Sequence, residues 1–279
     1  MAETFTIAAA QSTITPDIAE NGRHIRMLID QAAQAGADLV LFPEGALSGY
    51  AKSQIRTWSG FDWPLLRREL DLICAQCAES GIYAVIGSAH PLGETNRPHN
   101  SLYIISDKGV LETRYDKRRL SHTEVTGWYT PGFEPVTFEI AGFRFGLAVC
   151  IEMQFPELFM EYEALGVDCV LFSSYGLGLA GNVLIQAHAT SNCLWFGVSV
   201  PATEAAAGAS GIVGPDGQWI DRCRPEDKAG IAAARLDASD ERFTIALEKA
   251  RPWRRAAREG DIYEERRVAS SRSADRRRF

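Results

Sequence analysis

A seven-residue pattern occurs twice in this chain of 279 residues, and the repetition constrains the fold more than any other feature. Gly36-Ala-Asp-Leu-Val-Leu-Phe42 returns as Gly166-Val-Asp-Cys-Val-Leu-Phe172, 130 residues later. Each copy follows a helical pattern, residues 17–36 and then 155–166, and each helix follows a short apolar strand, Phe5 to Ala10 and Phe145 to Val149. After each copy come a loop, a second helix (64–80, then about 182–193) and another apolar strand (82–87, then 194–199). A hairpin closes each half, with turns at Asp107-Lys-Gly109 and Pro215-Asp-Gly217. Near-continuous apolar strands such as LVLF and CVLF imply sheets covered by helices. Two such halves with their sheets face to face predict an α/β fold, a four-layer α-β-β-α sandwich built from two similar halves. No low-complexity linker separates them, so residues 1–250 read as one domain, followed by an Arg-rich tail over 251–279.

Charge and composition exclude several classes of function. The chain is 46% hydrophobic and 23% charged, as ordinary globular proteins are, and no apolar run approaches the length of a membrane span. The N-terminus begins acidic, so neither a membrane anchor nor a signal peptide is expected. Net charge is −7, but the tail holds ten Arg against five acids, which leaves residues 1–250 with 19 basic and 31 acidic residues. An acidic body is a poor surface for nucleic acid, whose binding depends on neutralising phosphates. The tail reads as solvated or as docking on a partner subunit. Six scattered cysteines make no disulfide scaffold, and a reducing cytoplasm is the expected location. Cys74 and Cys77 form a CxxC inside a helical pattern, but no second pair completes a zinc site, so both read as core thiols. No metal cluster or Gly-rich phosphate loop calls for a cofactor.

Reactive groups in α/β folds collect where strands end in loops. One such end is Phe42-Pro43-Glu44-Gly45; another is Cys150-Ile151-Glu152 after the strand that ends at Val149. A cysteine there is either a core thiol or a nucleophile, and the second requires a carboxylate to take its proton and a cation to stabilise negative charge. The cation candidate is Lys117 in Arg114-Tyr-Asp-Lys-Arg-Arg-Leu120. The histidines at 24, 90, 99, 122 and 188 have no motif of their own and read as solvated loop or edge residues.

Together these segments resemble the nitrilase superfamily of carbon-nitrogen hydrolases. LFPEGALSGY (41–50) is similar to its glutamate motif, RYDKRRL (114–120) to its lysine motif and GLAVCIEMQFPEL (146–158) to its nucleophile motif. The spacings, 73 residues from Glu44 to Lys117 and 33 from Lys117 to Cys150, suit the family, and the resemblance covers about residues 1–263. It implies a Glu44-Lys117-Cys150 triad. The Cys150 thiol would give its proton to Glu44 and attack an amide-like carbon, and the Lys117 ammonium and the backbone N–H of Ile151 would hold the developing oxyanion. Glu124 is the expected auxiliary acid, with Glu134 the other candidate; Glu152 and Glu157 are expected to hold the loop that positions the cysteine. Tyr50, Trp128, Tyr129 and Tyr175 are expected pocket walls beside Ile151.

The chain departs from the family where substrates are chosen. His188-Ala-Thr-Ser-Asn192 stands where many members carry Arg-Ala-x-Glu-Asn, and Ile151-Glu152 where true nitrilases carry Trp-Glu. The resemblance therefore implies a thiol amidase, EC 3.5 class, acting on a small linear amide or N-carbamoyl compound. Nitrile hydrolysis or acyl transfer on the same fold, and a non-catalytic binding member, are the alternatives. A small-molecule amide-like substrate is the expected partner, with no nucleic acid and no membrane. A homodimer or higher homo-oligomer is the implied assembly.

Overall fold

The structure is a computed structural model that describes residues 4–93, 95–226 and 228–277. The first half runs β1 (Thr4–Gln11), α1 (Ile18–Gln34), β2 (Leu39–Leu41), α2 (Trp63–Ser80), β3 (Tyr83–His90), β4 (His99–Ile105), β5 (Leu111–Asp116) and a short α3 (His122–Gly127). The second runs β6 (Thr137–Ile140), β7 (Phe143–Val149), α4 (Pro156–Ala164), β8 (Cys169–Ser173), α5 (Gly178–Asn192), β9 (Trp195–Ser199), β10 (Gly211–Val213), β11 (Trp219–Arg222) and β12 (Gly230–Asp237). A further helix, α6 (Arg251–Glu259), begins the tail.

Local chemistry sets the helix ends. Asp17 caps α1 by accepting from the amides of Ala19 and Glu20, and Asp62 caps α2 by accepting from Leu65. Gly81 ends α2 at φ +63, where a side chain would be strained.

The strands form two six-stranded sheets, ordered β12-β1-β2-β3-β4-β5 and β11-β10-β9-β8-β7-β6. In each sheet three parallel strands (β1-β2-β3, β7-β8-β9) continue into an antiparallel hairpin. The hydrophobic pattern did not announce strands β6 and β12, and β12 crosses between halves. β6 pairs antiparallel with β7, and β12 returns to pair antiparallel with β1 along eight residues.

Strand alternation builds three apolar seams. Phe5, Ile7 and Ala9 of β1 face the other sheet, where Phe145, Leu147 and Val149 of β7 meet them. Ala8 and Ala10 face α1 and α2 instead, and Ala148 faces α4 and α5. Each fully buried side chain of the Val, Leu or Phe type contributes about 1.5–3 kcal/mol, so this interleaving fixes strand register strongly. Cys77 is buried in the α1–α2 seam and Cys74 packs against it, as core thiols should.

The tail's first helix docks on the chain's own body. Arg255 and Arg258 both pair with the buried Glu163 of α4, at 3.0 and 2.9 Å, and Arg251 pairs with Asp168. Arg254 and Arg258 also donate to carbonyls in the last turn of α5, which places cations at a helix C-terminus. Arg278 and Phe279 lie outside the described residues. No described helix is long and apolar enough to cross a membrane.

Candidate active site

Glu44 stands just past β2, in a tight turn whose Gly45 adopts φ +70. The turn lies directly on β3: a Cβ on Gly87 would come 2.0 Å from the Pro43 carbonyl oxygen. Lys117 stands just past β5, its amide donating to the Asn100 carbonyl at 2.8 Å and its carbonyl accepting from Gly132 at 2.9 Å. Cys150 follows β7 at the first position of a 3₁₀ turn, Cys150–Gln154, with φ +53. A non-glycine residue in that region is strained and is held there by its surroundings.

Glu152 supplies much of that hold. Its buried carboxylate accepts from the amides of Val149 (2.7 Å), Arg118 (2.8 Å) and Arg119 (3.0 Å) and from the Tyr115 hydroxyl (2.8 Å). One side chain thus ties the cysteine turn to the segment that carries Lys117. Glu157, expected to share the task, is exposed in the first turn of α4, where an acid suits the helix N-terminus.

The charged side chains converge. The Lys117 Nζ donates to Glu44 Oε1 at 2.8 Å and to Glu124 Oε1 and Oε2 at 2.9 and 3.1 Å. All three are at most 1% exposed. Burial pulls the Lys117 ammonium down, but Glu44, Cys150 and Glu124 outweigh it and hold the group well above its usual value. Burial pushes Glu124 up, and the charge and hydrogen bonds of Lys117, with the Ser121 backbone, bring it below the usual carboxylate range. Burial and then the Glu44 charge push the Cys150 thiol up to about 12, against the opposing pull of Lys117 and a hydrogen bond with Ser174. At neutral pH this is a thiol beside a carboxylate, arranged to lose its proton only as it attacks.

Glu124 is buried because α3 forms. Ser121 caps that helix in a capping box, and the Glu124 carboxylate reaches back to the Ser121 amide at 2.8 Å while its other contacts point to Lys117. Glu134, the other candidate, is exposed on a loop.

Two of the expected walls stand over the cluster. Tyr50 and Tyr175 are stacked with centroids 4.2 Å apart, and the Tyr175 amide donates to Glu44 Oε2 at 3.0 Å. The charges of Glu44, then burial, then Cys150 and Glu124 push the Tyr50 hydroxyl far up, so it stays protonated. Tyr129 is buried in an aromatic group with Trp58, Trp63 and Trp128, and its hydroxyl is pushed up by burial and then by Glu44 and Glu124. Trp128 packs edge-on against Trp58, whose indole donates to the Trp128 carbonyl, so it backs Tyr129. Ile151 is half-buried in the 3₁₀ turn beside Cys150.

Asn100 and Ser174 also belong here, and sequence reasoning passed over both. The Asn100 amide donates to Glu44 Oε1 at 2.7 Å and reaches Glu124 Oε1 at 3.5 Å. Its signal was an amide in an otherwise buried strand. Ser174 lies 130 residues after Glu44, the repeat's own offset, so the duplication pointed to it. The histidines need correction. His99 is buried with Nδ1 on the Thr130 carbonyl, and His188 is buried in α5 with Nε2 on the Met153 carbonyl, so neither is solvated. Among the described residues, no three His, Cys, Asp or Glu side chains gather as metal ligands.

Comparison with known proteins follows the same lines. A carbon-nitrogen hydrolase family model matches residues 6–246. The deaminated glutathione amidase of Mus musculus is 29% identical over 254 residues, which cover 83% of this chain and 77% of that protein. The chloroplastic omega-amidase of Arabidopsis thaliana is 25% identical, covering 93% and 74%. Among solved structures, an amidase from Nesterenkonia sp. superposes with a TM-score of 0.76 at 23% identity, over 92% of this chain and 97% of that one.

Proposed function

The chain belongs to the carbon-nitrogen hydrolase family and is a hydrolase of C–N bonds, and from that premise we propose that it is an amidase acting on small linear amides or N-carbamoyl compounds through a Cys150 thioester. The observation that carries the proposal is the buried Lys117 ammonium bonded to both Glu44 and Glu124 in the cluster that surrounds the Cys150 thiol. Relatives named as amidases support the substrate class.

The steps follow from the protonation states. Glu44 takes the Cys150 proton as sulfur attacks the amide carbon, so a thiolate need not be prepared in advance. The substrate oxygen becomes an oxyanion, which the buried Lys117 ammonium and the Ile151 N–H stabilise. Glu44 then passes its proton to the departing nitrogen, and ammonia or an amine leaves with cleavage of the C–N bond. Water gives a proton to Glu44 as it attacks the thioester, the carboxylic acid leaves, and the thiol is restored. Glu124 stays ionised against Lys117 and orients the substrate nitrogen.

The test is incubation with panels of aliphatic amides, N-carbamoyl compounds and nitriles, following ammonia release and trapping the acyl-enzyme by intact mass. The proposal expects turnover of amides or carbamoyl compounds and an acyl adduct on Cys150. Undiminished turnover by Cys150→Ala, or turnover of nitriles alone, would sink it.

A further inference from the structure

Tyr50 and Tyr175 come from different halves of the chain, yet one side chain is bonded to both. Gln54 accepts from the Tyr50 amide through Oε1 at 3.0 Å and donates from Nε2 to the Tyr175 hydroxyl at 2.8 Å. The two rings it joins lie 14° from parallel. They also stand over the charged cluster: the Tyr175 amide donates to Glu44 Oε2 at 3.0 Å, and Glu44 in turn accepts from Lys117.

The loop is built around this clamp. The amides of Ser53, Gln54 and Ile55 all point at the Tyr50 carbonyl, at 3.3, 3.0 and 3.2 Å. Lys52, between the two bonded residues, is held at φ +74, a conformation that side chains rarely adopt. A Cβ on Gly49, at φ +83, would fall 2.9 Å from the Gln54 Cβ, so glycine there is what lets Gln54 approach. Each of these features costs conformational freedom, and what they jointly fix is the position of the Gln54 amide.

We propose that Gln54 is a positioning residue that sets size selectivity, by locking Tyr50 against Tyr175 as one rigid wall beside the Cys150 thiol. Free tyrosines turn about two side-chain torsions; here the Tyr175 hydroxyl is tied to the loop that carries Tyr50, and the Tyr50 ring is held by stacking on Tyr175. The wall admits narrow, unbranched acyl groups and excludes bulky ones. The inference deepens the amidase reading and rests on it for the identity of the substrate.

The test uses two variants of the full chain. Gln54→Ala removes both bonds, whereas Gln54→Glu keeps an acceptor for the Tyr50 amide and one for the Tyr175 hydroxyl. One arm needs no turnover: rates of Cys150 alkylation by iodoacetamide and by an N-aryl maleimide, followed by peptide mass mapping. The other compares kcat/KM for propionamide and benzamide. In both arms Gln54→Ala should raise the ratio of bulky to small reagent by about tenfold or more, the scale on which a pocket discriminates by size. Gln54→Glu should stay near wild type. An unchanged ratio in Gln54→Ala, or an equal loss for both reagents as general loosening would give, overturns the inference. If wild type hydrolyses no amide, the proposed function fails, while the alkylation ratio still decides whether Gln54 guards the thiol.

Discussion

Replacing Lys117 with methionine isolates the electrostatics of the site from its shape, because the side chains are of similar length and only the charge and three donors are lost. In wild type the ammonium lies 2.8 Å from Glu44 and 2.9 Å from Glu124, with all three groups buried. Without it two carboxylates share the Asn100 amide, and a buried pair left without its countercharge costs about 3–5 kcal/mol. For a chain of this size each kcal/mol lowers Tm by about 2–4 °C, so a fall of roughly 6–20 °C is expected. The pH dependence identifies the cause. Glu124 is held below the usual range, so its contribution is present above its unfolded value of about 4.3 and lost as pH falls through its lower folded value. Lys117 is held above the usual range, so its contribution is present below about 10.4 and lost as pH rises through its higher folded value. Between these limits wild type keeps both. In the variant the neighbouring carboxylate raises Glu124 instead, and proton uptake relieves the repulsion. The Tm gap between the two proteins should therefore be widest near about pH 8 and narrow towards about pH 5. Circular-dichroism melts across that range measure it, and Lys117→Met combined with Glu124→Gln should regain part of the loss. A gap under about 2 °C, a gap independent of pH, or no recovery in the double variant would refute the reasoning.

Three further outcomes are expected. Gly87→Ala must displace the Pro43 carbonyl, which a Cβ would approach to 2.0 Å, and with it Glu44; kcat should fall by about 10²-fold, as for a 1 Å misplacement, and a kcat within about twofold of wild type would show the turn yields freely. The Cys150 thiol, pushed up to about 12, should show no thiolate ultraviolet absorbance at neutral pH relative to Cys150→Ala, and Glu44→Gln, which removes one upward push, should titrate lower than wild type. A neutral-pH thiolate in wild type contradicts this. Truncation after Ala250 strips Glu163 of both guanidinium partners and should lower Tm, with Glu163→Gln in the truncated chain recovering part of the loss; native mass measured on the same protein tests whether the tail also joins subunits.

How much could be read beforehand depended on how local the cause was. The repeated Gly-x-Asp-x-Val-Leu-Phe strand and its flanking helices carry their own periodicity, so both halves were legible. Glu44 and Cys150 were legible because each follows an apolar strand, and Lys117, which follows the only partly buried β5, through the resemblance of RYDKRRL to the lysine motif. β6 and β12 were not: Thr137–Ile140 is a short, half-exposed edge, and Gly230–Asp237 is rich in alanine, so both draw their order from the strand they join. Gln54 was silent for a related reason. Its partner Tyr175 lies 121 residues away, and nothing near Gln54 in sequence marks a polar side chain that a distant contact will employ.

The duplication explains why one chain holds one such cluster and not two. Exchanging the halves in strand register maps Cys150, after β7, onto Ser12, after β1; Glu44, after β2, onto Ser174, after β8; and Lys117, after β5, onto Pro225, after β11. The exchanged positions hold no acid and no cation. Next to Ser12, the Gln11 amide donates to the carbonyls of Arg224, Glu226 and Lys228, and so pins the segment leading into β12. That segment delivers β12 to β1 and closes the first sheet. The end of β7 therefore carries the cysteine while the end of β1 helps to seat β12. Removing the second half would take Cys150 and the strand that closes the first sheet together.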